Sequence, residues 1–268
     1  MHEEITSHPV FPQPVNQDEQ IWRYMDFAKY VAMLKDRALY FARLNELGDP
    51  FEGSLTKAEY DQLKHVAREG EAGGRLPKEW RGKYFDVLLA TTRRARKTCY
   101  VNCWHINSTE SEAMWRLYSS SGYAIAIAST YRLLAEALPT THQPTEHSGP
   151  FLGIVQYIDH HQDQLEWNNV FHAVLHKRLS FKHEHECRAV INRTGPKGRR
   201  TGEPLPEHVV DAYPPGIRVP VLLEKLVQQV IISPTAPIWF GPCVADLTVR
   251  YGFAYPIRPS LLANAPYL

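Results

Sequence analysis

The chain has 268 residues, which is enough for one large domain with a sizeable core or for two small domains. Hydrophobic residues make up 44% of it and charged residues 22%, which is ordinary for a soluble globular protein. The formal net charge of +1 gives no general preference for nucleic acid or an anionic membrane. The longest apolar runs are far too short to span a bilayer. The N-terminus lacks a basic segment followed by an apolar one, so we expect no secretion signal.

The cysteines predict a reducing compartment. Cys99, Cys103, Cys187 and Cys243 form no C-x-x-C pair, and their spacing does not suggest a disulfide framework. Reduced thiols are the rule in the cytoplasm, so we expect a cytoplasmic protein without disulfides.

Short apolar runs separated by turn residues predict the strands. Residues 20–268 are expected to form a single domain. Residues 1–19 are polar and interrupted by prolines, and predict an arm that is either disordered or wrapped around that domain. The predicted strands cover residues 21–24, 38–42, 99–104, 123–128, 153–158, 184–191, 217–222, 229–233 and 254–257.

Helical spacing of apolar residues and suitable capping residues predict the helices. Asp26 is placed to cap the first helix. Thr109 with Glu112 fits a capping box, and Gly122 is placed to end the helix that follows. Other helices are predicted twice within 56–96 and over 130–138, 165–179 and 243–251. Because no sustained β-α-β rhythm is present, these elements predict an α+β fold, in which helices flank a mixed, mainly antiparallel sheet.

The stretch 181–191 carries the most informative charged pattern. Alternate residues from Cys187 onward are apolar and fall on one strand face, while Glu184, Glu186 and Arg188 fall on the other. We expect Arg188 to pair with Glu184 or Asp49, which leaves another carboxylate free for chemistry. The alternative is a solvated strand face with structural ion pairs only. In both cases the alternation puts Glu186 off the buried face, so Glu186→Gln is expected to keep the fold.

Thirteen histidines invite a metal-site interpretation. No H-E-x-x-H, C-x-x-C or paired Cys/His spacing accompanies them, so no residue is assigned as a metal ligand. The motifs of α/β-hydrolases, P-loop enzymes and dinucleotide-binding Rossmann domains are also absent. Residues 48–50 (Gly-Asp-Pro) predict a turn in which Asp49 either bonds to nearby backbone or belongs to a site.

Four segments match the pattern of a known family in order and spacing. They are residues 21–24 (Ile-Trp-Arg-Tyr); 39–41 (Leu-Tyr-Phe) with 48–52 (Gly-Asp-Pro-Phe-Glu); 113–118 (Ala-Met-Trp-Arg-Leu-Tyr) with Gly122; and Lys177 with Phe181, Glu184, Glu186 and Arg188. Through them, nearly the whole chain from residue 21 resembles the bacterial domain-of-unknown-function family 2971. One departure is Gly48, where the family usually has asparagine.

The order of these motifs is also similar to that in NAD-dependent ADP-ribosyltransferases, some of which are toxins or defence factors. In those enzymes an early arginine holds a phosphate of NAD, and a late glutamate stabilises the ribosyl cation. The resemblance therefore implies that Arg23 binds phosphate and that Glu186 is catalytic. It also implies that Glu184 positions or activates the acceptor, which is open among protein, nucleic acid, a small molecule and water.

The same resemblance implies a set of further NAD-binding residues. We expect them to converge on one pocket with Arg23 and Glu186, and these two residues to lie on the same face of the sheet. The further residues are Tyr24, Tyr40, Asp49, Trp115, Lys177 and Arg188.

Two other functions fit the same residues. In a metal-dependent nuclease or phosphoesterase, four carboxylates would hold Mg²⁺, which prefers oxygen ligands. In a non-catalytic binding module, the motif residues would build a structural cluster of ion pairs and aromatic rings. The four carboxylates are Asp49, Glu52, Glu184 and Glu186.

Overall fold

A mainly antiparallel sheet forms the framework that positions the site. The computed structural model describes residues 3–6, 8–74, 76, 80–119, 122–139, 147–165, 171–172, 174–193 and 206–266. The strands in these ranges are β1 Gln20–Asp26, β2 Ala38–Arg43, β3 Cys99–Ile106, β4 Ala124–Thr130, β5 His147–Ile154, β6 Gln156–Ile158, β7 His176–Arg178, β8 Glu186–Arg193, β9 Gly216–Pro220, β10 Gln229–Ile232 and β11 Ile257–Pro259.

Helices pack on the sheet and connect its strands. Within the described ranges, none is both long enough and apolar enough to cross a membrane. The helices are α1 Glu3–Thr6, α2 Phe27–Asp36, α3 Lys57–Ala72, α4 Tyr84–Thr98, α5 Glu112–Tyr118, α6 Tyr131–Ala137, α7 Glu207–Asp211, α8 Leu223–Leu226 and α9 Phe240–Arg250.

The arrangement confirms the predicted α+β fold with a mixed sheet. In the described part of the chain, nine strands join one sheet, where only β10 and β11 pair in parallel, and the short β6 and β7 form a separate parallel pair. The predicted alternation along β8 is confirmed, because Cys187, Ala189 and Ile191 all lie in the main core. The apolar run at 124–128 is completely buried in β4, as expected for a central strand.

The sheet forks at β3, and this fork determines where the site lies. One edge of β3 pairs with β8 over its whole length. On the opposite edge, His105 pairs with Trp22 of β1, while Val101 pairs with Ala42 of β2. On its far side β1 pairs with β4, and on its far side β2 pairs with β9. Over their described residues β1 and β2 themselves do not pair with each other, and they separate beside residues 102–104 of β3.

The N-terminal segment, in its described residues 8–19, wraps against the body of the protein. Phe11 is buried, with ring centroids 5.3 Å from Phe151 and 5.2 Å from Phe171. The Gln13 amide donates a hydrogen bond of 2.7 Å to the carbonyl of Leu152. Of the two alternatives for the arm, the wrapped one therefore matches these contacts.

The helix predicted over 165–179 is wrong in the residues that can be compared. Residues 166–170 and 173 lie outside the described ranges. Among the described residues, the amides of Val174 and Leu175 donate to the carbonyl of Phe171 and so form a turn, and the chain then enters strand β7 where the helix was expected to continue. Phe171, Val174 and Leu175 pack with Phe11 into a small hydrophobic cluster, which gives their spacing a second physical cause.

Helix α5 begins two residues later than predicted. Ser111 is its N-cap and accepts a hydrogen bond of 3.4 Å from the amide of Met114. The hydroxyl of Thr109 instead reaches the neighbouring carbonyl of Glu110. Sequence spacing alone does not distinguish these hydroxyls, since both precede a helix-forming run. Gly122 lies beyond the helix end at Tyr118, in a left-handed conformation with φ of 72°.

These caps give a direct test of the helix start. We expect Ser111→Ala to lower the free energy of unfolding by about 0.5–1 kcal/mol, because the amide of Met114 loses its acceptor. Thr109→Ala is the matched control and should leave it within about 0.3 kcal/mol, since its hydroxyl caps no helix amide. Urea unfolding of both variants measures this, and a larger loss for Thr109→Ala would contradict the assignment.

Candidate functional site

A cavity of about 540 Å³ lies where β1 and β2 separate. This volume falls within the range of roughly 300–1,000 Å³ that is typical of small-molecule pockets. We call it the fork pocket. Its walls come from β1, β2, β3, α2 and α5, with the residues before and at the start of β8 at one side. Its polar and aromatic lining includes Trp22, Arg23, Tyr24, Tyr40, Cys103, Trp104, His105, Tyr118, Glu184 and Glu186.

At the fork, where strand pairing is interrupted, side chains form hydrogen bonds to a backbone carbonyl. The Asn102 amide donates 2.8 Å to the carbonyl of Tyr40 and accepts 2.7 Å from the indole of Trp104. Arg23 Nη2 donates a longer bond of 3.4 Å to the same carbonyl. The carbonyl of Tyr40 is thus satisfied without a neighbouring strand at the point where the fork opens.

Arg23 brings an unusual cation to the fork pocket. Its guanidinium lies 5.8 Å from the centre of the Trp104 ring, a cation–π distance. Nη1 is buried, and no hydrogen-bond partner for it exists among the described residues. Burial lowers the pKa of Arg23 to about 10, so the side chain remains charged at neutral pH. A buried charged donor without a partner is costly, and such a cost is common where a ligand supplies the acceptor.

A buried ion cluster backs one wall of the pocket, and Arg188 is at its centre. Nη1 and Nη2 of Arg188 each donate 2.9 Å to the Glu52 carboxylate. Nε and Nη2 donate 2.7 and 3.1 Å to the two oxygens of Glu186, and Nη1 also reaches the carbonyl of Val174 at 2.7 Å. All five N–H donors of the guanidinium are therefore used, and Arg188 has 0% exposure.

Lys177 is the second cation of this cluster. Its Nζ lies 2.5 Å from Glu184 and 3.3 Å from both Glu186 and Glu52. The five residues of the ion cluster thus combine three carboxylates, on Glu52, Glu184 and Glu186, with two cations. Glu184 and Glu186 both line the fork pocket, so two of the three carboxylates lie at the pocket wall.

The cluster controls the ionisation of Glu186, which is only 4% exposed. Burial by itself raises the pKa of this carboxyl, but the charges and hydrogen bonds of Arg188 and Lys177 outweigh burial and lower the pKa to about 2. For Lys177, burial works against the charged form, and the neighbouring carboxylates still raise its pKa above the ordinary value. Both groups are charged at neutral pH, so Lys177 is not an available nucleophile.

Several residues expected in the pocket do not reach it. Asp49 is held by Arg178, which donates 3.0 and 2.7 Å to its two oxygens, and it also accepts from the amide of Phe51. Trp115 is buried and donates 3.0 Å to Glu110. The residues expected in the pocket that do not line it are Asp49, Trp115, Lys177 and Arg188; the last two contact Glu186 from within the protein.

The expected partner of Arg188 was wrong. Arg188 pairs with Glu52 and Glu186, not with Glu184 or Asp49. Glu184 ends a 3₁₀ turn instead of lying on the strand. The alternative of a solvated face is also wrong, because this face of β8 is buried.

Arg23 and Glu186 start from opposite faces of the sheet, contrary to expectation. Trp22, His105 and Glu186 pair across neighbouring strands, so they share one face. Arg23 follows Trp22 and points to the other face, where it lies over Trp104. Both residues still line the fork pocket, because the cavity passes through the gap between β1 and β2.

The structure adds lining residues that were not among the predicted site residues, although Tyr118 lies in the motif at 113–118. Tyr118, one turn beyond Trp115 on α5, is 43% exposed and offers an aromatic surface to the pocket. Cys103 and His105 come from β3, whose strand pattern was predicted without any functional role. One feature of the sequence could have indicated both residues. The alternation of side chains along β3 puts Cys103 and His105 on the same sheet face as Glu186.

A magnesium site formed by the four carboxylates has little support. Asp49 and Glu52 are engaged by arginines, and Lys177 binds Glu184. Within the described ranges, no group of three or more His, Cys, Asp or Glu side chains has the geometry of a metal site.

Comparison of the chain with protein-family models, with curated proteins and with solved structures finds no match. The resemblance to the domain-of-unknown-function family 2971 therefore rests on the four motif segments alone.

The ion cluster predicts an asymmetry between two variants. Arg188→Met leaves three buried carboxylates with one cation, so we expect it to lower the free energy of unfolding by about 3–5 kcal/mol. Glu186→Gln leaves two carboxylates with two cations and should cost less, about 2–3 kcal/mol. This replaces the expectation that Glu186→Gln leaves the stability of the fold unchanged, since Glu186 is buried.

Urea unfolding of both variants measures these costs. Arg132→Met, which breaks the exposed pair with Asp18, is the control and should change stability by less than about 1 kcal/mol. Equal, small effects of Arg188→Met and Arg132→Met would contradict the importance of the cluster.

The low pKa of Glu186 also predicts acid sensitivity. Its folded pKa of about 2 lies below the ordinary 4.5, so its contribution is complete above pH 4.5 and is lost as the pH falls towards 2. We expect a loss of about 3 kcal/mol of unfolding free energy over this range from this residue. Denaturant unfolding at pH 7, 5, 4 and 3 tests it, because Glu186→Gln should lack that part of the decline. Parallel curves for the two proteins would refute the assignment.

Proposed function

We propose that the fork pocket binds a nucleotide of the NAD class and that the protein transfers ADP-ribose from it or cleaves it. The observation that carries this proposal is that one cavity is lined by a guanidinium with a buried, unpartnered nitrogen, on Arg23, and by an ionised carboxylate, on Glu186. The two groups suit a ligand that carries both negative and positive charge.

Arg23 is the reason for proposing that one end of the ligand is anionic. A guanidinium grips phosphate oxygens through parallel N–H donors, and this match is much better than that of an ammonium group. In the free protein, one nitrogen bonds weakly to the carbonyl of Tyr40 and the other has no partner among the described residues. A phosphate would supply the missing acceptor and repay the cost of burying the charge.

The ion cluster is the reason for proposing that the other end of the ligand is cationic. It contains more carboxylates than cations, two of those carboxylates (Glu184 and Glu186) line the cavity, and the aromatic ring of Tyr118 borders the same cavity. The oxidised nicotinamide ring of NAD is positively charged and planar, so a carboxylate wall and an aromatic surface favour it.

Glu186 would then stabilise the developing charge during bond cleavage. As the bond between the nicotinamide nitrogen and C1′ of the ribose breaks, its electron pair leaves with nicotinamide and C1′ gains oxocarbenium character. A preorganised carboxylate stabilises that charge. The acceptor then forms a bond to C1′ and releases a proton. Glu184 remains the proposed group for positioning the acceptor, with Lys177 holding its carboxylate at 2.5 Å.

A non-catalytic binding module is the second candidate. It is favoured by one observation, namely that both oxygens of Glu186 already accept hydrogen bonds from Arg188 while Lys177 lies 3.3 Å away. A carboxylate that is neutralised to this extent offers less field to a reacting carbon. In that case the pocket would bind the nucleotide without cleaving it.

Arg23→Gln gives the sharpest test of the binding site. We expect it to weaken binding of ADP-ribose and NAD by about tenfold or more, because a charge-assisted hydrogen bond is lost. The stability of the free protein should change by less than about 1 kcal/mol, since Nη1 has no partner to lose and the lost contacts are the long bond to Tyr40 and the cation–π contact with Trp104. Isothermal titration and thermal unfolding measure the two effects. Arg250→Gln, which breaks an exposed pair with Asp246, is the matched control.

The outcomes separate the candidates. Release of nicotinamide by the wild type, lost in folded Glu186→Gln while NAD still binds, supports the enzyme. Binding without release of nicotinamide supports the binding module. If the wild type binds neither NAD nor ADP-ribose, both forms of the proposal are wrong.

A further inference from the structure

His105 is a second lining residue of the fork pocket with an unused polar atom. It lies on β3 between Trp22 and Glu186 of the neighbouring strands, and its side chain is 6% exposed. Nδ1 is 2.6 Å from the carbonyl oxygen of Glu184. Because a carbonyl can only accept, Nδ1 must carry the hydrogen.

The other ring nitrogen then has a lone pair and no partner. Burial lowers the pKa of His105, which keeps the ring neutral at neutral pH and Nε2 unprotonated. No hydrogen-bond donor reaches this buried nitrogen among the described residues. Tyr24 does not supply one either, since its ring centre is 6.3 Å from that of His105 and no hydrogen bond joins its hydroxyl to Nε2.

A purely structural role explains only half of this arrangement. The bond from Nδ1 to Glu184 links β3 to the turn before β8, which is a sufficient reason for a histidine as far as Nδ1 is concerned. It gives no reason for a buried acceptor at Nε2, which a native protein usually satisfies. The same pocket therefore contains an unsatisfied donor at Arg23 and an unsatisfied acceptor at His105.

We propose that Nε2 of His105 accepts a hydrogen bond from a hydroxyl or amide N–H of the ligand in the fork pocket. Together with Arg23, it selects ligands that carry a phosphate and a neutral hydrogen-bond donor, of which a sugar phosphate is the simplest class. The inference rests on the proposed ligand site at the fork, but it does not require that the ligand is NAD.

Two amide substitutions separate the roles of the two ring nitrogens. In His105→Asn, the amide is attached to Cγ, as Nδ1 is, so it retains a donor for Glu184 and loses the acceptor at the position of Nε2. In His105→Gln, the amide lies one atom further out, so it retains an acceptor there and loses the donor to Glu184. A structural role makes Gln the harmful change, whereas ligand recognition makes Asn the harmful change for binding.

The probes are ribose 5-phosphate, which has hydroxyls beside its phosphate, and methyl phosphate, which has none. NMR titration measures both affinities, and thermal unfolding measures stability. We expect the wild type to prefer ribose 5-phosphate by roughly tenfold, as expected for a neutral hydrogen bond. His105→Asn should lose most of this preference with stability close to wild type. His105→Gln should retain part of the preference and be less stable.

The outcomes distinguish the failure of the His105 inference from the failure of the NAD proposal. If His105→Asn keeps the wild-type preference, or if the wild type binds neither probe, the inference is wrong. If the preference depends on His105 but NAD and ADP-ribose do not bind, the NAD proposal falls and this inference stands. If NAD binds equally well to wild type and His105→Asn, and neither prefers ribose 5-phosphate, only this inference falls.

Discussion

The buried ion cluster is the constraint on which the site depends. Two cations, Lys177 and Arg188, hold three carboxylates inside the protein, and the guanidinium uses every donor it has. Removing such charges from water is expensive, so the cluster is tolerable only while all its members are in place. It ties Glu52, in the turn after β2, to Arg188 on β8, 136 positions away in sequence.

This cluster and the fork of the sheet complement each other. β3 carries β8 on one edge, and on the other edge β1 and β2 separate and leave a cavity. Because Glu186 lies directly beside His105, the cluster forms a rigid, charged wall for that cavity. Arg23 comes from the opposite face and enters through the gap. The pocket is thus a consequence of interrupted strand pairing, and the charges around it are fixed before any ligand arrives.

Local patterns predicted the local elements well. The period of two grouped Glu186 with Arg188, and the continuous apolar run at 124–128 identified a central strand. Both succeed because the pattern reflects burial on one face or both faces of a strand. A sequence pattern led to a wrong prediction where two different structures can produce the same spacing of apolar residues. Phe171, Val174 and Leu175 have helical spacing, but they form a turn packed into a cluster and strand β7 follows directly after them.

The membership of the site was only partly predictable. Arg23, Tyr24, Tyr40, Glu184 and Glu186 line the fork pocket, as the motifs implied. Asp49 and Trp115 occur in the same motifs, yet they serve the fold, because Arg178 and Glu110 engage them. Which carboxylate Arg188 selects depends on how distant segments meet, and strand alternation contains no such information. The fork itself has no local signature, so the role of His105 could not be anticipated, whereas Tyr118 was present in the motif at 113–118 and was not selected.

A crystal structure of the wild-type protein grown with ADP-ribose tests the central claim most directly. We expect ligand density in the fork pocket, with a phosphate oxygen within hydrogen-bond distance of Arg23 Nη1 and the ion cluster unchanged behind Glu186. Density elsewhere on the protein, or an empty fork pocket at a ligand concentration that saturates binding in solution, would contradict it.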